Sequence, residues 1–437
     1  MRPPLRSAGG PVAWQEMAEP AAPVAPPASA GRRRAQRTAV FIVGVFALAF
    51  NLRAAITSLP PLFPELAGAL HLSNAALSAL AAVPVLAFGV CSGVAAPLSR
   101  RFGEERVLGA ALVLLAAGLL LRGALPGRLL FPGTAIAAAA VALMNVLLPS
   151  LAKRRQPKQA GLLIGIYLLS LSAGSIAASL IAVPVYKLSG GSVPLSLGVW
   201  AIPALAAALC WLPQLRFHTR PTGELEPVMA QPAGPRRGVK VYRHALAWQV
   251  TAFMGLQSLT FYAALSWLPT MFRDRGVSPG GAGTLLALMS LGGVPSALVI
   301  PVLAQRARNQ RGLIAWTVTA SVAGLAGAWF APLGGATAWV LLLGLGQGSA
   351  LGLAIYFTMA RAPDPRAAAS LSAFAQSVGY LVATTGPLAV GFLHTASGGW
   401  TVPVSCLLVI SGLELVAGWQ AARNLTLPVD QPAAALG

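Results

Sequence analysis

The chain has 437 residues, 56% hydrophobic and only 10% charged, with a mean hydropathy of +0.71. A soluble surface needs about a quarter charged residues, so water is excluded as the solvent for most of this chain. The net charge of +20 does not mark a nucleic-acid binder, because the basic residues lie in short gaps between apolar segments and form no patch interleaved with aromatics. The composition specifies a polytopic helical membrane protein.

Residues 1–38 are rich in Pro, Ala and Gly and end in GRRRAQR. No apolar signal core precedes them, so they read as a disordered cytoplasmic tail with a basic stop. Apolar runs long enough to cross the bilayer as helices, about 20 residues each, follow at 39–59, 75–97, 107–125, 129–151, 160–185 and 195–213. They resume at 245–271, 281–303, 313–331, 337–360, 366–393 and 400–420. The pattern predicts a six-helix bundle over 39–213, a cytoplasmic linker over 214–243, a second six-helix bundle over 244–422 and a cytoplasmic tail over 423–437. Pro, Gly and basic residues mark the linker as flexible.

Lysine and arginine set the orientation. With the N-terminus inside, 25 of them fall in cytoplasmic segments and five, Arg122, Arg128, Lys187, Arg273 and Arg275, on the opposite side. That bias places both termini in the cytoplasm of a multi-pass protein of the cytoplasmic (inner) membrane. The remaining base, Arg53, lies inside the first apolar run.

An internal repeat supports the same layout. Arg101 in SRRFGEER and Arg306 in AQRARNQR are 205 residues apart, as are Ser172 and Ser377, and Gly174 and Gly379. The fold class is therefore an all-α membrane protein of 12 transmembrane helices in two six-helix repeats, the architecture of major facilitator transporters, whose solute site lies between the halves near the midplane.

Four ordered blocks sharpen this: NLRAAITSLPPLFPEL, NVLLPSLAKRR, GLQSLTFYAALSWLP and FAQSVGYLVATTGPLAVG. They resemble the cyanate/2-nitroimidazole transporter family of the major facilitator superfamily, over residues 39 to 420. The resemblance implies alternating-access transport of a small anionic or nitro-bearing heterocyclic solute. Arg100 and Gln305 stand where the superfamily's loop signature has an acid, a departure that bears on the loop-based gating salt bridge.

Candidate site residues follow from the cost of polar groups in lipid. A guanidinium at membrane depth costs roughly 2.5–3.5 kcal/mol on insertion scales, so Arg53 leads as a planar donor fork for an anion or nitro group. The rival reading is a structural arginine bound to carbonyls or Glu65, or one snorkelling outward from the upper part of the span. Thr57 shares a helical face with Arg53, and Asn51 lies on an adjacent face. Gln257, Phe261, Tyr262 and Trp267 form the second-half counterpart, an amide with aromatics able to orient a planar solute. Gln376 and Tyr380 lie one turn apart, and Asn145 and Tyr167 complete the set of substrate-binding candidates. Each alone could equally be helix-packing polarity.

Glu414 is the one clear intramembrane acid and is expected at the bundle periphery or lipid edge. Cys91, Cys210 and Cys406 are expected as packing residues. No P-loop, metal-ligand cluster or nucleophile–base arrangement is present, so the reading is a non-enzyme with no cofactor and no metal. Its partners are a small-molecule substrate, membrane lipid and, optionally, a coupling proton, with a monomer as the unit. Efflux of drugs is the alternative transport reading; a non-transporting membrane sensor is the third.

Overall fold

The computed structural model describes residues 28–156, 159–216 and 241–428. Most of the expected linker and the outer parts of both expected tails lie outside the described residues. The membrane core lies in the compact unit that begins at Val40.

The described chain is helical almost throughout. Helix α1 (Ala28–Thr57) passes through the short turn Pro60–Leu62 into α2 (Phe63–Leu70). There follow α3 (Asn74–Phe102), α4 (Glu104–Ala124), α5 (Pro126–Arg155), α6 (Ala160–Leu188), α7 (Val193–Gly198) and α8 (Ala201–Trp211). After the linker come α9 (Ala245–Asp274), α10 (Pro279–Arg306), α11 (Arg311–Phe330), α12 (Ala336–Ala360), α13 (Pro365–Ser397) and α14 (Thr401–Ala421). Since α1 runs on into α2 and α7 into α8, the fourteen helices make twelve spans. One segment departs from expectation: the tail is helical from Ala28, where Ala, Arg and Gln are good helix formers.

Ten spans are long and apolar enough to cross a bilayer on composition alone. The other two, α9 and α13, have ample length at 30 and 33 residues. They are more polar because they carry Gln257, Ser258, Thr260, Gln376, Ser377, Thr384 and Thr385. These helices are shielded by protein: α9 packs against α10, α12, α13 and α14, and α13 against α3 and α9.

The internal repeat appears as repeated local geometry. Ser73 and Ser278, 205 residues apart, cap α3 and α10, each side chain accepting a backbone N–H at 3.2 Å. Two residues before each cap the chain takes a left-handed conformation, at His71 (φ 52°) and Gly276 (φ 89°). Gly174 on α6 abuts the Phe50 carbonyl on α1, and Gly379 on α13 abuts Gly255 on α9; both partners keep the same 205-residue offset. Gly118 against Ala137 and Gly324 against Leu343 make the α4–α5 and α11–α12 approaches alike, 206 residues apart. Without a hydrophobic drive between helices in lipid, such close backbone contacts hold the spans together.

A side chain at Gly174 would overlap the Phe50 carbonyl, whereas one at Gly412 on α14 would meet open space. Gly174→Val is therefore expected to lose roughly 1–3 kcal/mol of stability through overpacking and Gly412→Ala almost none. Thermal unfolding of the detergent-solubilised variants checks the contrast.

Candidate functional site

The sequence reading treated Arg53 as the single base at membrane depth. The structure corrects this: Arg122, assigned to a loop, lies in the last turn of α4 and is 1% exposed. It donates from Nη1 to the Ala55 carbonyl and from Nη2 to Ser58 Oγ, both at 3.0 Å. Those partners make Arg122 a tie between α4 and α1, leaving only its Nε without an acceptor.

Arg53 is placed differently. It is partly buried, and its Nη1 has no hydrogen-bond acceptor. Instead the guanidinium carbon sits 5.1 Å from the centre of the Phe261 ring and 5.9 Å from that of Tyr262, both on α9 in the other half. Such cation–π contacts contribute about 0.5–2 kcal/mol and leave Nη1 available, while the guanidinium also lies within hydrogen-bonding reach of the Tyr262 hydroxyl. Its charge also acts on the hydroxyls of Tyr167 on α6 and Tyr380 on α13. Glu65, the alternative partner, pairs with Arg273.

An aromatic wall surrounds this charge. Phe88 on α3 lies 5.4 Å from the Tyr380 ring and 6.3 Å from that of Tyr262, and Tyr262 and Tyr380 are 6.3 Å apart. Tyr167 donates to Asn145 Oδ1 on α5 at 2.8 Å, which fixes the direction of its hydroxyl. Arg53, Asn145, Tyr167, Phe261, Tyr262 and Tyr380 are thus brought together by five helices, with Phe88 added from a sixth. Phe88 was missed because a lone phenylalanine in an apolar span reads as packing; its one signal was being the only aromatic in the interior of α3.

Five other candidates lie apart from this group. Asn51 donates to the Ala47 and Pro203 carbonyls at 2.8 and 3.0 Å, against α8. Thr57 bonds the Arg53 carbonyl at 2.8 Å and reaches the Ser175 carbonyl at 3.5 Å. Gln257 is buried within its own half and donates to Ser258 Oγ at 2.6 Å. Trp267 donates to the Pro387 carbonyl at 3.0 Å and packs on Phe63 and Trp400. Gln376 is half-buried one turn from Tyr380, on the side of the linker, and donates to Ser372 Oγ at 2.8 Å.

Contacts between the halves run from the level of Arg53 to the side remote from the linker. Ser175 and Ser290 share a hydrogen bond of 2.9 Å, Ser78 packs on Gly391, and Asn74 donates to Thr395 at 3.2 Å. Outermost, Arg273 Nη1 lies 2.7 Å from both Glu65 carboxylate oxygens.

At the linker side each half carries its own tie. Although the loop acid of the signature is missing, Glu104 at the start of α4 pairs with Arg154 of α5 and accepts from Ser150 at 3.1 Å. Burial lowers the Arg154 pKa. In the repeat-related place Arg361 donates to Gln310 Oε1 at 2.8 Å and to the Ala421 carbonyl at 2.9 Å. One tie is ionic and the other neutral on its acceptor side. Glu414, expected at the lipid edge, is instead 1% exposed within the second half.

A twelve-span scaffold of two like halves, with a buried cation and aromatic faces where they meet, is the architecture of a membrane solute carrier. The sequence profile of the Major Facilitator Superfamily matches residues 41–387, and the chain belongs to that superfamily. It is 37% identical over 385 residues to the 2-nitroimidazole transporter of Escherichia coli (strain K12), covering 88% of this chain and 96% of that one. It is 27% identical over 354 residues to the cyanate transport protein of the same organism, covering 81% and 89%. Among solved structures, a bacterial homologue of the human lysosomal transporter Spinster, inward-facing and unoccupied, superposes with a TM-score of 0.70 at 14% identity, over 89% of this chain and 97% of that one. The last likeness concerns the fold alone.

Replacing Glu65 by Gln leaves Arg273 with a neutral partner and weakens the outermost contact. A charge-assisted pair of this kind contributes roughly 1.5–3 kcal/mol when buried, and less here because both side chains are partly exposed. In a background lacking the three native cysteines, a reporter Ser78→Cys is expected to react several-fold faster with an impermeant maleimide when Glu65→Gln is present.

Proposed function

We propose that this protein is a secondary transporter for a small planar anion or nitro-bearing heterocycle, moved across the cytoplasmic membrane by alternating access. One observation carries the reading: the Nη1 of Arg53 is buried without an acceptor, among aromatic rings contributed by both halves. A buried donor without a partner is costly, and a solute carboxylate, cyanate or nitro oxygen would satisfy it. The faces of Phe88, Phe261, Tyr262 and Tyr380 suit a flat ring or a linear π-system, and Tyr167, aligned by Asn145, offers a polar edge.

The linker side is cytoplasmic in this reading, which rests on the 25-to-five distribution of basic residues and places both termini there. The bundles on either side of residues 214–243 are then the rocking bodies. Their contacts beyond Arg53 correspond to a state closed outside and entered from the cytoplasm, with Gln376 and Ser372 beside the entry path. Asn51, Thr57, Gln257 and Trp267 support the helices that carry the site. The 2-nitroimidazole and cyanate carriers among the relatives favour a solute of this size.

Arg53→Ala is expected to cut uptake of 2-nitroimidazole or cyanate into proteoliposomes by about 10- to 100-fold, the equivalent of one lost charge-assisted interaction, while membrane accumulation is unchanged. Arg53→Lys keeps the charge, loses the fork and should fall between. Undiminished flux through Arg53→Ala would overturn the site. A thermal-shift panel of small anions and nitroheterocycles identifies the solute, since a ligand of the folded state raises its apparent stability.

A further inference from the structure

Glu414 on α14 is 1% exposed, and neither of its carboxylate oxygens has a hydrogen-bond donor. A buried carboxylate left without a partner is strongly destabilising, so this position calls for something that compensates it. Among the described residues, the surrounding helices place no charged partner at Glu414. The Thr260 hydroxyl of α9 lies within hydrogen-bonding reach of the carboxyl group, but its single proton is shared with the Gln257 carbonyl at 3.0 Å. Thr260 Oγ1 in turn accepts from Gln347 Nε2 of α12 at 3.3 Å, which leaves Gln347 Oε1 buried without a donor.

Helix α11 adds hydroxyls to the same interior. Gly346, next to Gln347, abuts Ser321, and Thr317 lies one turn before Ser321 on the same face; both hydroxyls are buried and unpartnered. Helix α14 is held against α9 and α11 at Gly418, where a side chain would meet Phe253 and Ile314. Glu414 is one turn further along α14, at the level of Gln257 and Thr317 on these antiparallel neighbours. The charged groups of the packed helices lie at their ends: Arg273 and Asp274 on α9, Arg311 on α11, and His394 on α13. Tyr380 and Tyr262 face the Arg53 site.

We propose that Glu414, with Thr260, Gln347, Thr317 and Ser321, forms a site inside the second half for one positive charge, a proton or a sodium ion. All the available atoms are oxygens, and a carboxylate with amide and hydroxyl oxygens is a donor set for a hard cation; a proton on the carboxyl group satisfies the same deficit. The site is distinct from Arg53 but shares α9 with it, since Thr260 directly precedes Phe261 and Tyr262. Occupancy therefore acts on the helix that presents the aromatic wall, which is how a coupling cation would bias the carrier. That coupling role rests on the transport reading; the cation site itself does not.

The test reads stability of the purified full-length protein, without any solute. Melting is followed from about pH 5 to about pH 9, and in sodium chloride against choline chloride at constant ionic strength. If a proton is bound, wild-type melting falls as pH rises, by several degrees more than that of Glu414→Gln, and sodium has no specific effect. If sodium is bound, it raises wild-type melting by several degrees and leaves Glu414→Gln unmoved. Should Glu414→Gln not accumulate, Gln347→Leu keeps the carboxyl group and removes an oxygen, and is expected to shift the wild-type response to higher cation concentration. Identical pH and sodium responses in wild type and variant overturn the site, and leave the Arg53 assignment standing because no flux is measured.

Discussion

The different surroundings of two guanidiniums organise the first half of this molecule. Arg53 and Arg122 both lie within span helices, and their chemistry is the same. Their surroundings divide them: Arg122 spends both Nη groups on α1 and becomes a strut, while Arg53 leans on two aromatic faces and keeps an Nη1 unmatched. Cation–π contacts suit that purpose, because they offset part of the desolvation cost without consuming the directional donors. The strut also matters to the site. Arg122 grips Ala55 and Ser58, just beyond Arg53 on the same helix, and so fixes the segment from which Arg53 projects.

The second constraint is the absence of a hydrophobic force between helices in lipid. Close backbone approach replaces it, and the repeat supplies each approach twice. Gly174 against Phe50 and Gly379 against Gly255 set the distance between the first and fifth spans of each half. The helices thus positioned, α1 with α6 and α9 with α13, carry Arg53, Tyr167, Phe261, Tyr262 and Tyr380. Packing symmetry and site asymmetry coexist: the backbones repeat, whereas Arg53 corresponds to Ser258 and Thr57 to Tyr262 at the 205-residue offset.

Hydropathy made the spans legible, and the offset of Gly174 and Gly379 made the repeat legible, because both depend on the chain's own periodicity. Arg53, Tyr167, Phe261, Tyr262, Tyr380 and Asn145 could be nominated since polar or aromatic groups in lipid are scarce. What sequence could not supply was the rotation of each helix against its neighbours. Asn51 and Gln257 are as polar as Asn145, yet they face α8 and Ser258. Arg122 near a span end has the same local pattern as a loop arginine, and only the Ala55 carbonyl and Ser58 opposite it reveal burial. Glu414 illustrates the reverse error, an acid assigned to the lipid edge that the packing at Gly418 draws inside.

The polarity of α9 and α13 has a consequence for biogenesis. These two helices hold much of the central wall, and by composition they are the poorest candidates to partition into lipid unaided. Helix α9 is also the first span made after the linker, before α10, α12 and α14 exist to cover it. A newly made second half must therefore shelter α9, through the insertion machinery or the completed first half, until its partners emerge. The side chains that suit α9 to the protein interior are the same ones that make its synthesis dependent on order.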